Sequence, residues 1–379
     1  MTEETPRTTQ TEQTEQTEQT EQAEQSEPTE PTEPTGHARR AAQPKTAARA
    51  GSPWTRGRVL AASAALVAVL LAFPRVIPNR AFHAGSLLES FLPWLGLAVV
   101  PLLALALLRR SATALSALLL PVAAWTYAFG GLLLPGTGPG ADDLVVVQHN
   151  VSDENTDPAA TARTLAEAGP DLIALEELLP AARPVYERTL APDYPFHAVR
   201  GTVALWSKHP LSGTRPVDIK PRGITESWQR GLRTVVRTPH GDVAAYVAHL
   251  PSVRIGAGGL TSARRDESAE LLGRAVAAEK VGTVILLGDL NGTVDDRGLT
   301  PLTSQLNVSE RGFAFSFPAS FPLARIDQVM ARGAQVGPLR TLPETGSDHL
   351  PVATRISLAP SPGGREHGTA TGSDEHQGS

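Results

Sequence analysis

Several polar residues in the second half of the chain close apolar runs, where a strand would deliver them to the rim of a sheet. Asn150 closes VVVQHN, Glu176 and Glu177 close DLIALEE, Asp289 and Asn291 follow VILLG, Asp327 lies in RIDQVM, and Asp348–His349 open the last apolar run in GSDHLPV. His249, closing AAYVAH, is a second imidazole placed the same way. Carboxylates and amides are hard oxygen donors that suit a hard divalent cation. An imidazole whose tautomer is fixed by an acid can move a proton near neutral pH. Asp327, inside an apolar run, needs a cation or a histidine beside it. Period-two spacing puts Asp289 and Asn291 on one side of their strand, and lets only one of Glu176 and Glu177 face the site. Singly, each position reads equally well as a turn residue or a solvated acid. Together they provide a cation site, a base with an orienting acid, and donors for a charged oxygen. No Ser or Cys nucleophile is needed, and the chain contains no cysteine, which also excludes thiolate metal sites and disulfides.

The elements that must position these residues alternate along 142–358, a length sufficient for one sizeable core. Strands are expected at 144–148, 171–175, 231–237, 242–249, 283–287, 326–330 and 351–357, and helices at 158–168 and 261–279. Thr-Pro-His-Gly between the third and fourth strands has the composition of a hairpin turn. Hairpins mixed with helices predict an α+β domain with sheet packed on sheet.

The strand-end Glu, Gly-Asp-Leu-Asn, Arg-Ile-Asp and Ser-Asp-His, in this order and with these gaps, resemble the endonuclease/exonuclease/phosphatase superfamily across essentially all of 142–358. The resemblance implies a four-layer α/β sandwich of the deoxyribonuclease I type and Mg²⁺-dependent, or Mn²⁺-dependent, hydrolysis of phosphate esters. Carried over by position, Glu177 is similar to the family's metal-binding glutamate, six residues after Asp171, and Glu176 stands where the family often has Gln. Asn150 resembles the first-strand Asn that positions metal or phosphate, and Asp348 a further metal ligand. Asp289 and Asn291 resemble the pair that orients water and stabilises phosphoryl oxygens. His249 resembles an imidazole that supports the transition-state phosphate. His349 resembles the general base or phosphate-stabilising imidazole, and Asp327 the acid that orients it. The chain departs from some nucleases of the family in having Ser152 two residues after the first-strand Asn, in place of an acid; one principal cation is therefore expected.

The first half has a different character. Residues 1–56, with a Thr-Glu-Gln repeat from Thr11 to Gln22, and 359–379 cannot bury enough surface to offset ordering and are expected to be disordered tails. Between them, 57–135 holds apolar runs at 59–73, 87–108 and 112–134, interrupted only by Glu89 in the second. Three transmembrane helices are expected, the first being short unless Arg75 snorkels. Arg39, Arg40, Lys45, Arg49, Arg56 and Arg58 precede the first run and Arg109–Arg110 separate the second from the third, against only Arg75 and Arg80 in the other connector. This places the N-terminus in the cytoplasm and the catalytic domain outside the cell. A Pro/Gly tether of about seven residues would hold that domain within about 25 Å of the bilayer. The architecture is similar to the VanJ-type membrane proteins of actinobacteria, linked to teicoplanin resistance. That similarity implies a phosphorylated lipid carrier such as undecaprenyl pyrophosphate as partner. The net charge of −5 argues neither way, and the lack of a broad basic footprint in 142–358 does not favour nucleic acid, although an extracytoplasmic nuclease or phospholipid phosphodiesterase would use the same residues. A non-catalytic membrane adaptor would not need them. The basic stretch Arg215, Lys220, Arg222, Arg230, Arg233 and Arg237 reads either as a solvated face or as a patch facing phosphate.

Overall fold

The computed structural model describes residues 57–80, 82–135, 143–256 and 259–358; the tails expected to be disordered, and the tether after Pro135, lie outside them. The apolar half forms α1 (Arg58–Ala72), α2 (Ala84–Ser90), α3 (Val99–Leu108), α4 (Ala112–Ala117) and α5 (Leu119–Phe129). Among the described residues, only α4, α5 and the turn after them, Ala112–Leu133, form a helix of 22 residues long and apolar enough to cross a membrane. The helix α1 has 15 residues. The second apolar run is not one straight helix. Ala84–Ser90 and Leu92–Leu108 meet at Phe91 with a bend of 78°.

Glu89 precedes this bend and Pro93 opens the helical stretch that follows it. A carboxylate in an apolar helix must find a cation, and Glu89, fully buried, receives Nε and Nη2 of Arg297 at 2.8–3.1 Å together with the Arg297 backbone N–H at 2.9 Å. The sequence reading placed Glu89 near the start of a membrane helix; it is instead the residue that fastens α2 to the second half of the chain. Trp94 adds to this contact by donating Nε1–H to the Leu323 carbonyl at 2.7 Å and stacking on Phe315.

The second half is built from β1 (Asp143–Asn150), α6 (Pro158–Glu167), β2 (Leu172–Glu176), α7 (Arg183–Leu190), β3 (Phe196–Arg200), β4 (Val203–Ser207), β5 (Leu211–Pro216), β6 (Gly231–Thr238), β7 (Gly241–Ala248), α8 (Ala263–Ala277), β8 (Thr283–Asp289), β9 (Asp327–Arg332), β10 (Ala334–Val336) and β11 (Val352–Leu358), with shorter pieces between. One sheet runs β10-β11-β1-β2-β4-β3; the other runs from Asn307–Val308 through β9-β8-β7-β6-β5. The inner faces meet through Leu144, Val146, Leu172 and Ala174 on one side and Val247, Ile285, Leu287, Val329 and Ala331 on the other. The outer face of the first sheet packs on α6 and α7 through Leu165, Tyr186 and Leu190, and that of the second on α8 through Leu272 and Val276. The four-layer sandwich follows. The helix α7 and the strands β3–β5, absent from the sequence reading, extend its edges.

Arg297→Ala leaves the Glu89 carboxylate buried without its guanidinium, a loss of about 3 kcal/mol. Unfolding of the detergent-solubilised protein should shift accordingly, with Arg297→Lys intermediate because it keeps the charge and loses the fork. An unchanged unfolding midpoint for Arg297→Ala would show that the Glu89–Arg297 contact does not hold α2 in place.

Candidate active site

The site is the continuation of the core by other residue types. In β1 the inward positions are Leu144 and Val146, and two residues on, in the same phase, come Gln148 and Asn150. In β2, Leu172 and Ala174 are followed by Glu176; in β8, Ile285 and Leu287 are followed by Asp289; in β9, Asp327 precedes Val329 and Ala331. Strands β1 and β2 run parallel, as do β7 and β8, and β9 begins opposite the end of β8, with Asp289 paired to Asp327. All these inward polar residues therefore gather at one end of the gap between the sheets. Gly288 permits the close approach that this requires: a Cβ there would lie 1.9 Å from the Ala248 carbonyl oxygen.

Gln148 donates Nε2–H to Glu176 at 2.6 Å and to Asp327 at 3.0 Å. Asp327 in turn accepts from His349 Nδ1 at 2.8 Å. Burial works against both charges of this last pair, yet their mutual attraction prevails: His349 is held up to about 10, with Asp289 contributing, and Asp327 below the usual carboxylate range. Burial, and then the Asp327 charge, push the Glu176 carboxyl well above its ordinary value. Phe317 packs its ring on His349 at 4.8 Å.

Asp289 is the junction. Its Oδ2 accepts from Asn150 Nδ2 at 3.1 Å and stands 3.6 Å from His249 Nε2 and 3.7 Å from His349 Nε2, while Oδ1 accepts the Asn291 backbone N–H at 2.9 Å. Burial raises Asp289 to about 7, its largest opposing influence being His349. Glu177 reaches the same place from the other sheet, its Oε1 lying 3.7 Å from His249 Nε2. Its backbone is left-handed (φ 56°), as are those of Asn291 (φ 47°) and Ser152 (φ 59°). Such conformations are costly for residues with a Cβ and concentrate where function demands them. They also correct two expectations. Glu177 leaves the strand alternation, so Glu176 can fill the interior while Glu177 faces the cleft. Asn291 lies beyond the end of β8, where its side-chain amide donates to the Leu250 carbonyl at 3.0 Å; it joins Asp289 through a turn, not through strand phase.

His249 is buried and neutral: burial, then the nearby Arg230, lower its pKa to about 3. Arg230 Nη1 lies 3.2 Å from Nδ1, and since guanidinium only donates, the ring proton belongs on Nε2. That buried Nε2 has no hydrogen-bond partner, and it points between Glu177 and Asp289. Arg230, stacked on Trp228 with its guanidinium 4.1 Å from the ring centre, is thus a site residue that the sequence reading left among the basic stretch. By contrast Arg222 pairs with Glu267 and Arg233 with Glu279, away from the site.

A cleft of about 460 Å³ opens over this arrangement, lined by Asn150, Glu177, Asp289, Asn291, Asp348 and His349. His249 and Asp327 stand behind its wall, so the eight residues to which the family resemblance gives a role in catalysis or metal binding converge. Glu177 and Asp289 form no ion pair with Lys or Arg among the described residues. Carboxylate oxygens left without such a pairing at the cleft fit a hard divalent ion. Asp289, Asp327 and His349 could also offer ligand atoms within 4.8 Å of one another. The Asp327–His349 bond already uses one atom from each of those two, while Glu177 and Asp348, the ligands that the family resemblance implies, line the same cleft as Asp289.

The sequence model of the endonuclease/exonuclease/phosphatase family matches residues 147–349, more than half of the chain. The chain belongs to this family. Its members are generally hydrolases of phosphoester bonds, and the residues that the family resemblance singled out are those gathered at the cleft. Similar solved structures include an endonuclease/exonuclease/phosphatase from Beutenbergia cavernae (21% identity over 57% of this chain and 72% of that one, TM-score 0.47) and sphingomyelinase C from Streptomyces griseocarneus (19%, 56% and 99%, TM-score 0.45). A Staphylococcus aureus beta toxin variant with bound magnesium ions is a third (15%, 57% and 100%, TM-score 0.45). No curated protein matches the sequence.

The pH dependence follows from Asp289. With its folded pKa raised from 3.8 to about 7, the folded state holds this proton more tightly than the unfolded chain. That contribution to stability is complete below the unfolded value and is lost as pH rises through about 7. The cation-free protein should therefore melt lower at pH 8 than at pH 5, by at least a few degrees. Mg²⁺ should restore stability at pH 8, and Asp289→Asn should flatten the decline. A decline that persists in Asp289→Asn would assign the titration elsewhere.

Proposed function

We propose that this chain is a divalent-cation-dependent phosphoester hydrolase anchored in a membrane, and that it removes phosphate from a lipid-linked phosphate or pyrophosphate such as undecaprenyl pyrophosphate, as the VanJ-type architecture implies. The observation that carries the chemistry is the gathering of Glu177, Asp289 and Asp348 at one cleft with the Asp327-bonded His349, with no Lys or Arg in ion-pair contact with Glu177 or Asp289 among the described residues.

Mg²⁺ or Mn²⁺ held by Glu177 and Asp348, with Asn150 and Asp289 beside them, would supply Lewis-acid stabilisation of charge on a phosphoryl oxygen. The protein's own groups do the rest. Asp289, poised near neutrality and fixed by Asn150 and the Asn291 backbone, accepts the proton of an attacking water. His349, kept cationic by Asp327, presents Nε2–H to a phosphoryl oxygen; of the two roles open to it from the sequence, its charge supports the donor. His249 presents a second N–H, its tautomer set by Arg230. Donors aimed at developing charge in a water-poor cleft carry a large part of such catalysis.

The membrane reading is supported by the side on which things lie. The helix α2 docks on the catalytic domain through Glu89, and the Arg109–Arg110 turn comes 17 residues after Leu92 begins the next helical stretch, a rise of about 25 Å. With three crossings, Arg109–Arg110 would face the cytoplasm and the cleft the outside, which is the arrangement the Lys and Arg distribution favours.

The full-length protein in detergent should release phosphate from undecaprenyl pyrophosphate with Mg²⁺ or Mn²⁺. Asp289→Ala and His349→Ala should each lower kcat by about 100-fold or more. Undiminished turnover in excess chelator would remove the cation mechanism, and faster hydrolysis of DNA than of the lipid would favour an extracytoplasmic nuclease.

A further inference from the structure

Beside the catalytic cleft is a second hollow that the hydrolytic chemistry does not use. It measures about 450 Å³ and is lined almost wholly by carbon, from Leu97 and Val100 on one apolar helical stretch, Val122 and Trp125 on another, and Phe313 and Phe315 of the catalytic domain. Leu97, Val100 and Val122 are among the exposed large side chains, so its flank is open to whatever surrounds the helices. Trp94 and Trp125 stand at its catalytic-domain end, where indoles favour a membrane–water boundary.

Two chain segments connect this hollow to the cleft. Ser90 and Phe91 line the cleft while Pro93 and Trp94 line the hollow; likewise Phe317, packed on His349, lines the cleft while Phe315 and Phe313 line the hollow. Four residues span at most about 14 Å, so the hollow begins within that reach of the site histidine. A smaller hollow of about 310 Å³ bridges the two, sharing Ser90 with the cleft and Pro93, Phe313 and Phe315 with the apolar cavity.

We infer that this cavity is the subsite for the hydrocarbon chain of the lipid whose phosphate occupies the cleft. The inference rests on the membrane-anchored phosphoesterase reading and adds where the substrate's apolar part binds. A phosphate at His349 leaves its attached chain to exit either into water or along Phe317, Phe315 and Phe313 into the cavity. The second path buries apolar surface and leads through an open flank toward the bilayer core. The docking of α2 by Glu89 fixes the relative position of the two subsites.

Val122→Trp and Leu97→Trp fill the cavity from opposite walls without touching the cleft. With Mg²⁺, each should raise KM for undecaprenyl pyrophosphate at least tenfold while leaving kcat/KM for a short, water-soluble prenyl pyrophosphate within twofold of wild type. The short substrate shows that the variant is folded. A polyprenyl phosphate carrying a diazirine in its chain should label residues around 93–100 and 122–126 upon irradiation, and excess unlabelled lipid phosphate should suppress that labelling. Equal kinetics of variants and wild type on both substrates, or labelling that only bulk phospholipid suppresses, overturns the tail subsite while leaving the hydrolase intact. Failure of the wild type to turn over either substrate removes the reading on which it rests.

Discussion

Buried carboxylate charge governs this structure. Two sheets close an apolar gap over Ile285, Leu287, Val329 and Ala331, and then, in the same side-chain phase, end on Glu176, Asp289 and Asp327 within a few ångströms of one another. Three anions cannot share a low-dielectric space uncompensated. The molecule meets this in three ways at once: burial raises the Glu176 carboxyl toward its uncharged form, Asp327 takes His349 as its cation, and Asp289 is raised to about 7, balanced between its proton and whatever positive charge the cleft admits. Gln148, donating to both Glu176 and Asp327, holds two of these solutions together. The reactive geometry is thus a consequence of how the sandwich ends its core.

The same economy extends to the apolar half. The second apolar run bends at Phe91, next to Glu89, whose carboxylate pairs with Arg297 in the turn that follows Gly-Asp-Leu-Asn. The apolar half is thereby fixed to a segment close to the chemistry. Phe313, Phe315 and Phe317 make a parallel connection, from the apolar helices to the ring of His349.

Much of this was legible in the sequence because side-chain phase in a strand is legible. Apolar residues at alternate positions announce the inner face, and a polar residue at the strand's end announces a rim, as at Asn150 and Asp289; Asp327 is marked instead by lying inside an apolar run. Phase alone could not place both Glu176 and Glu177, because the left-handed backbone at Glu177 is not written in the residue type. Arg230 was hidden for another reason. Its neighbours in sequence are solvated or paired elsewhere, and only the register that sets Gly231 opposite Ala248 brings it against His249. Glu89 looked like a tolerated charge in an apolar run until its distant partner came into view. Phe317 carried a signal, three phenylalanines at every second position, that gains meaning only beside His349.

The central claim is that one divalent cation rests between Glu177 and the Asp348–Asp289 side of the cleft while Asp327 stays bonded to His349. Crystals of the full-length protein grown with Mn²⁺ and measured at the manganese absorption edge test it most directly. The account expects a single strong anomalous peak within coordination distance of the Glu177 carboxylate, with the Asp327–His349 hydrogen bond intact. A peak coordinated by Asp327 and His349 in place of that bond, or none in the cleft of a crystal that still turns over substrate, would contradict it.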